Sequence, residues 1–175
     1  MKCLLFIGFC LLVVSCSQAA QSPLLTSFTN LALADKKAVQ IVLKNKDFII
    51  AQGNPTLVTA LKTTRANLLA FVSQVSYSSD AIQAELSKAS RKQLIAAMNE
   101  LTVLSDTLTA SLSVSFAEGS PLNVQDALNR FIASVEPIVE AIQTILVQSG
   151  GTACRSLNDA IVQLKGNFLA IQASG

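Results

Sequence analysis

The chain has 175 residues, of which 51% are hydrophobic and 14% are charged, with a net charge of +2 and no histidine. Such an apolar composition excludes a disordered chain, which would have too little apolar surface to bury on folding. The lack of histidine excludes Ser-His and Cys-His nucleophile pairs and removes the commonest general base and metal ligand.

Residues 1–19 have the order of a secretory signal peptide. The charge on Lys2 is followed by an uncharged apolar run over residues 3–14 and then by small, polar residues. Ser17 and Ala19 occupy the small-x-small positions for cleavage after Ala19, and cleavage one residue later is the weaker alternative. We therefore expect a secreted, extracellular product.

Three of the four cysteines lie in this leader, and one of them, Cys16, ends a stretch that resembles a lipobox. A lipid anchor through Cys16 is therefore a less favoured alternative to cleavage after Ala19. Cys154 alone is left in the mature chain, so no intramolecular disulfide can form there. Two interpretations of Cys154 stay open: a buried small hydrophobe, or an intermolecular disulfide that forms a dimer.

Proline, glycine and capping residues divide the rest of the chain into five predicted helices. Each of three prolines, at positions 23, 55 and 121, follows a Ser or Asn that is typical of an N-cap. Gly53 and the pair at 150–151 are typical of helix ends. The alternating stretch 111–116 is either extended or the end of a helix. The predicted helices cover residues 23–51, 55–77, 80–113, 121–148 and 153–173.

The fourth predicted helix contains Pro137 within an apolar stripe that steps by three and four residues. Proline removes one backbone donor and clashes with the preceding turn, so we expect one continuous helix that is kinked over residues 133–136. No transmembrane segment is expected after the leader, because the best candidate contains Glu136 and Glu140 as well as this proline.

Short loops favour antiparallel packing of sequential helices. The predicted fold class is therefore all-α, an up-down bundle of four to five amphipathic helices in a single domain, residues 20–175. Apolar residues on the inward stripes of the last three helices form a possible ligand-lining core. This core consists of Leu101, Leu108, Phe131, Val135, Ile142, Leu164 and Phe168.

The sequence contains no recognisable catalytic, metal or cofactor motif. One mature cysteine without histidine cannot supply a typical zinc site, and Gly150-Gly151 lacks the spacing of a phosphate-binding loop. Glu136 and Glu140 share one helix face, but polar residues continue that face, which is typical of a solvated surface. Aromatic residues make up 5% of the chain, too few for a typical stacking surface for nucleic acid. We expect no enzyme, no cofactor and no nucleic-acid partner.

The apolar stripes and the low charge favour a protein that binds lipid, a small hydrophobic ligand or a hydrophobic surface. The alternative is an extracellular protein-protein interaction module, either a receptor ligand or a component of a secreted coat. Its support is the potential dimer through Cys154 and an uneven charge distribution. Residues 20–92 carry nine basic and four acidic side chains, whereas residues 93–175 carry three and seven.

Asp126-Ala127, the segment Val-Glu-Pro-Ile-Val at 135–139, and Ile142 together form an apolar helical pattern that contains a proline. This pattern resembles the fungal hydrophobic-surface-binding proteins, which are secreted, helical and poor in cysteine. The resemblance covers roughly a third of the chain and implies association with apolar surfaces and recruitment of partners there. It assigns no individual site residue.

Overall fold

The computed structural model describes residues 22–175, so the predicted signal peptide, its cleavage site and Cys16 lie outside the described residues. Within this range the regular secondary structure is entirely helical, in agreement with the predicted all-α class. Six helices follow one another, joined by loops of one to three residues. They are α1 (Pro23–Lys44), α2 (Lys46–Ala51), α3 (Pro55–Glu85), α4 (Lys88–Ala117), α5 (Pro121–Ser149) and α6 (Thr152–Ala173).

Side-chain caps fix the predicted starts of α1 and α3. Ser22 Oγ accepts a hydrogen bond from the amide of Leu25 at 3.2 Å, and Asn54 Oδ1 accepts one from the amide of Leu57 at 3.0 Å. Each cap satisfies an amide that has no partner within the first turn of its helix. The first predicted helix is divided at Asn45, where α1 ends and α2 begins.

The break predicted between the helices 55–77 and 80–113 is helical instead, and α3 continues to Glu85. Its buried stripe passes straight through this segment, because Val75, Ser79 and Ile82 are all buried. Packing along the stripe therefore outweighs the weak helix propensity of Ser-Ser-Asp. The chain turns later, at Leu86, and Ser87 caps α4 by accepting a hydrogen bond from the Ser90 amide at 3.0 Å.

The alternating stretch 111–116 also belongs to a helix, since α4 runs on to Ala117. Leu112 and Ser115 are buried, and the residues between them are exposed. This burial has the three-residue step of a helix and not the two-residue step of a strand. Of the two alternatives for this stretch, the structure therefore has the helical one.

The five long helices contact one another in a cyclic order, with α1 inserted between α3 and α4. Helix α1 packs along both of these helices, α5 packs along α4 and α6, and α6 packs along α3. The short helix α2 packs on α3. The expectation that every pair of sequential helices is adjacent is therefore wrong for α3 and α4, which α1 separates.

Two buried clusters fill the interior of this arrangement. The first cluster combines the beginnings of α1, α4 and α6 with the ends of α3 and α5, and the second combines the opposite ends. Leu94 and Met98 of α4 are fully buried in the first cluster, and Leu112 is fully buried in the second. Phe131 and Phe168 pack against both clusters and so join them at the middle of the bundle.

Helix α5 is continuous through Pro137, as the sequence predicts. Val135 and Val139 are buried on either side of the proline, so the apolar stripe holds the helix together where one backbone hydrogen bond is missing. The kink itself stays a prediction.

The expectation that no segment after the leader is apolar enough to span a membrane needs correction for α5. Within residues 22–175, its segment Leu122–Ser149 alone is long and apolar enough, with a mean hydropathy of 1.3. In the bundle part of this composition serves the core, because residues spaced along the whole helix are buried, whereas others such as Leu122 and Val147 are exposed. The buried residues are Val124, Leu128, Ile132, Val135, Val139, Ile142 and Leu146.

Candidate functional site

Two apolar cavities, each of about 70 Å³, lie side by side where the five long helices meet. The first cavity adjoins the first buried cluster, and the second cavity adjoins the second cluster. Every long helix contributes lining residues to both. Five residues line both cavities and therefore form the boundary between them: Asp35, Leu68, Phe131, Leu164 and Phe168.

All seven residues of the predicted ligand-lining core lie around these cavities. Leu101, Phe131, Val135, Ile142, Leu164 and Phe168 line the first cavity, and Leu108 lines the second. The structure thus brings together side chains from α4, α5 and α6 that the sequence placed on inward stripes. That they hold a ligand stays a prediction.

An aromatic pair stands at the boundary between the cavities. The rings of Phe131 and Phe168 meet edge to face, with their centroids 6.4 Å apart and an angle of 83° between their planes. This arrangement sets the positive edge of one ring against the negative face of the other, which is a favourable geometry for two aromatic rings. Both side chains are half-buried although they lie among core residues, which is consistent with their facing the cavities.

Asp35 of α1 brings a carboxyl group to the same boundary. Its Oδ1 atom accepts a hydrogen bond of 2.5 Å from the hydroxyl of Ser105 on α4, and Ser105 itself is fully buried. The Ser105 hydroxyl also lies 2.9 Å from the carbonyl oxygen of Leu101, one turn earlier. Asp35 is partly exposed, in agreement with its place in the lining of both cavities.

Burial raises the pKa of Asp35 from 3.8 to about 6, and the hydrogen bond from Ser105 opposes part of this rise. Removal from water disfavours the ionised form of a carboxyl group unless a cation or several donors replace the water. Lys165 is the other charged residue that lines the first cavity, but its Nζ atom lies 3.8 Å from Glu140 Oε1. The Asp35 carboxyl therefore lies in an apolar interior with one hydroxyl as its hydrogen-bond partner.

Asp35 and Ser105 are not among the residues predicted from the sequence, although both occupy apolar stripes. Asp35 lies seven residues after Phe28 and four before Val39, and Ser105 lies four residues after Leu101. A carboxylate at such a position is the signal that could have identified the site, because charged residues are rarely buried without a partner.

Glu85, the last residue of α3, caps the beginning of α6. Its two carboxylate oxygens accept hydrogen bonds from the amides of Ala153 and Cys154, at 2.9 and 2.8 Å. These bonds lower the pKa of Glu85, because they favour its ionised form. A side chain at Gly151 would collide with this carboxylate, since a Cβ atom there would lie 2.1 Å from Glu85 Cδ.

Cys154 is fully buried, with its Sγ atom 4.0 Å from the carbonyl oxygen of Ile82. Burial raises the pKa of this thiol, and the neighbouring Glu85 carboxylate adds to the rise. This position favours the interpretation of Cys154 as a small hydrophobe in the core. A disulfide to a second chain would require the first turn of α6 to open.

The surface has two further features that bear on a site. Glu136 and Glu140 are both exposed on α5, in keeping with a solvated face. A groove of about 170 Å³ lies between α1 and α3, with the half-exposed side chains of Leu33 and Leu69 in its lining. Within residues 22–175, no three His, Cys, Asp or Glu side chains cluster in a way that could hold a metal ion.

Comparison with known proteins finds no family model, curated protein or solved structure that matches this chain significantly.

Proposed function

We propose that this chain is a secreted, non-enzymatic protein that holds a small hydrophobic molecule between its helices. The observation that carries this proposal is the pair of adjoining apolar cavities at the centre of the bundle. Protein interiors are close-packed, and voids larger than a water molecule are few in each domain. Each of these cavities exceeds the volume of one water molecule, roughly 30 Å³.

The size of the cavities limits the ligand. Together they approach the roughly 150 Å³ of an engineered apolar cavity that binds benzene. A single-ring molecule would therefore fit once the side chains at the boundary move apart and join the two cavities. A longer ligand, such as an acyl chain, would require Phe131 and Phe168 to rotate further, and their incomplete burial is consistent with such a movement.

The test is a cavity-filling substitution with a matched surface control. Leu164→Phe adds volume at the boundary of both cavities, whereas Leu169→Phe makes the same change on the exposed side of α6, where Leu169 is 66% exposed. We expect toluene to raise the melting temperature of the wild type and of Leu169→Phe, and to have a much smaller effect on Leu164→Phe. An equal effect on all three proteins would place toluene outside the cavities.

The wider form of the proposal is binding of lipid or of an apolar surface by an opened bundle. Each buried cluster combines the beginnings of some helices with the ends of others, which supports an up-down order of helices. A bundle with this order could open without losing its helices. The apolar composition of α5 and the resemblance to fungal hydrophobic-surface-binding proteins support it too. Adsorption to an oil-water interface with unchanged helical circular dichroism would support opening, and a lack of adsorption would contradict it.

A second candidate function is an extracellular protein-protein interaction module. The groove between α1 and α3 favours it, because Leu33 and Leu69 are each about half exposed there, and Lys36 and Arg65 also line it. Apolar side chains with neighbouring cations are typical of binding surfaces. If the partner is a second copy, light scattering should report a dimer that Leu33→Asp disrupts and Cys154→Ser leaves intact. A monomer at all concentrations would exclude this form of the module.

A further inference from the structure

The boundary between the two cavities is apolar except at one residue. Leu68, Phe131, Leu164 and Phe168 surround it, and Asp35 is the fifth member of the set. We propose that Asp35, held by Ser105, is the polar end of the ligand site and selects an apolar molecule that carries a hydrogen-bond donor, either a hydroxyl or an ammonium group. This inference rests on the proposed function, because it specifies the ligand of the same cavities.

The hydrogen bonds at this point leave room for a further donor. The Ser105 hydroxyl has one proton, and both the Leu101 carbonyl oxygen and Asp35 Oδ1 lie within hydrogen-bond distance of it. Asp35 Oδ2 accepts no hydrogen bond from any side chain or amide of residues 22–175. An ionised carboxylate can accept about four hydrogen bonds. A donor on a ligand in either cavity would therefore meet an acceptor that the protein leaves free.

The charges around the cavities indicate which ligands the site would reject. Neither of the two ion pairs in the described part of the chain, Arg130–Asp126 and Lys165–Glu140, involves Asp35. A ligand carboxylate beside Asp35 would place a second negative charge next to the first, and the one cation in the lining of the first cavity, Lys165, is already paired with Glu140. Such a pair of negative charges in an apolar site is strongly unfavourable. The site thus favours an apolar alcohol, phenol or amine over a fatty acid or another carboxylate.

Four single-ring probes of similar size test this selectivity at pH 7.5: phenol, toluene, benzylamine and benzoate. Phenol and toluene have nearly the same shape, and a hydroxyl replaces a methyl group. The ratio of the phenol affinity to the toluene affinity therefore reports the polar contact. The different solubilities of the two probes affect this ratio equally in variant and wild type, so they cancel when the two proteins are compared. We expect Asp35→Leu to lower the preference for phenol over toluene about tenfold, which corresponds to loss of one hydrogen bond to a charged group.

Asp35→Asn gives a change of opposite sign for the anionic probe. Its amide can donate to a carboxylate, and the negative charge is gone, so benzoate should bind this variant more tightly than it binds the wild type. Asp106→Leu and Asp106→Asn are the matched controls, because Asp106 follows Ser105 on α4 but is exposed and lines neither cavity. Both controls should keep the wild-type order of affinities.

The outcomes separate this inference from the proposed function. If toluene and phenol both bind the wild type and their ratio is unchanged in Asp35→Leu, the polar selection is overturned while the cavities remain a ligand site. If none of the four probes binds, both proposals are overturned. Preferred binding of phenol or of benzylamine supports the inference and identifies the donor. Should Asp35→Leu fail to fold, the increase of benzoate affinity in Asp35→Asn decides the question.

Discussion

Asp35 places a carboxyl group beside two apolar cavities, where the Ser105 hydroxyl donates a hydrogen bond to it and no cation of residues 22–175 forms an ion pair with it. Because the folded state raises its pKa from 3.8 to about 6, the native protein binds more protons than the unfolded chain between these pH values. The free energy of unfolding therefore falls as the pH rises through this window. A shift of this size amounts to about 3 kcal/mol at pH 7.

Asp35→Asn should remove this pH dependence. We expect the variant to be more stable than the wild type at pH 7.5, and we expect this advantage to shrink toward pH 4, where the wild-type carboxyl is protonated. Urea unfolding from pH 4 to 8 gives the free energy of unfolding of both proteins. The contributions of the other carboxylates cancel in the difference between the two free energies. The exposed Asp106→Asn variant should follow the wild type throughout. A pH-independent difference for Asp35→Asn would mean that the carboxyl is not desolvated in the native state.

At the scale of helices, the sequence predicts what lies on one helix and misses what joins two. Apolar steps of three and four residues are enough to identify the inward stripes, and hence all seven predicted lining residues. The same steps continue past Tyr77 through Ser79 to Ile82, and the packing of this stripe outweighs the local preference of Ser-Ser-Asp for a turn. Neither the order of helices around the bundle nor the pairing of Asp35 with Ser105 leaves a local signal, because each depends on contacts between distant segments.

The beginning of α6 is a further case of a contact that no local pattern contains. Gly151, the N-cap residue of α6, has no side chain that could accept a hydrogen bond from the first turn. The carboxylate of Glu85 on α3 accepts these bonds instead, from the amides of residues that lie 68 and 69 positions later in the sequence. This bond ties the end of α3 to the start of α6, near the buried Cys154. A negative charge there also interacts favourably with the positive end of the helix dipole.

Glu85→Gln should lower the melting temperature at pH 7, because a neutral amide side chain replaces a carboxylate that accepts two hydrogen bonds. Since these bonds lower the pKa of Glu85, their contribution is present above the ordinary value of 4.5 and is lost as the pH falls through the lower folded value. The melting temperatures of variant and wild type should therefore converge in acid. Glu100→Gln, an exposed carboxylate on α4, is the control and should change little at either pH. Equal melting of Glu85→Gln and wild type at pH 7 would contradict the cap.

For the whole molecule, the central question is whether the two buried clusters unfold together. They share all five long helices, and Phe131 and Phe168 pack against both of them. The cavities lie at this same junction, so the place where a ligand would bind is also the place where the two halves of the bundle are joined. Looser packing at the junction would let the bundle admit a ligand while each cluster stays intact.

Truncation of one fully buried leucine in each cluster tests this coupling. Leu94→Ala in the first cluster and Leu112→Ala in the second should each destabilise the whole bundle by about 2–5 kcal/mol, with a single unfolding transition.

Phe168→Ala removes the aromatic pair and should weaken the coupling, so that its melting curve broadens or divides into two steps. Phe116→Ala is the matched control, because Phe116 forms a similar edge-to-face pair with Phe48 away from the cavities. Calorimetry distinguishes these cases, since a two-state transition gives equal calorimetric and van't Hoff enthalpies. If Leu94→Ala or Leu112→Ala alone produced two transitions, the clusters would be independent units and the Phe131–Phe168 pair would not join them.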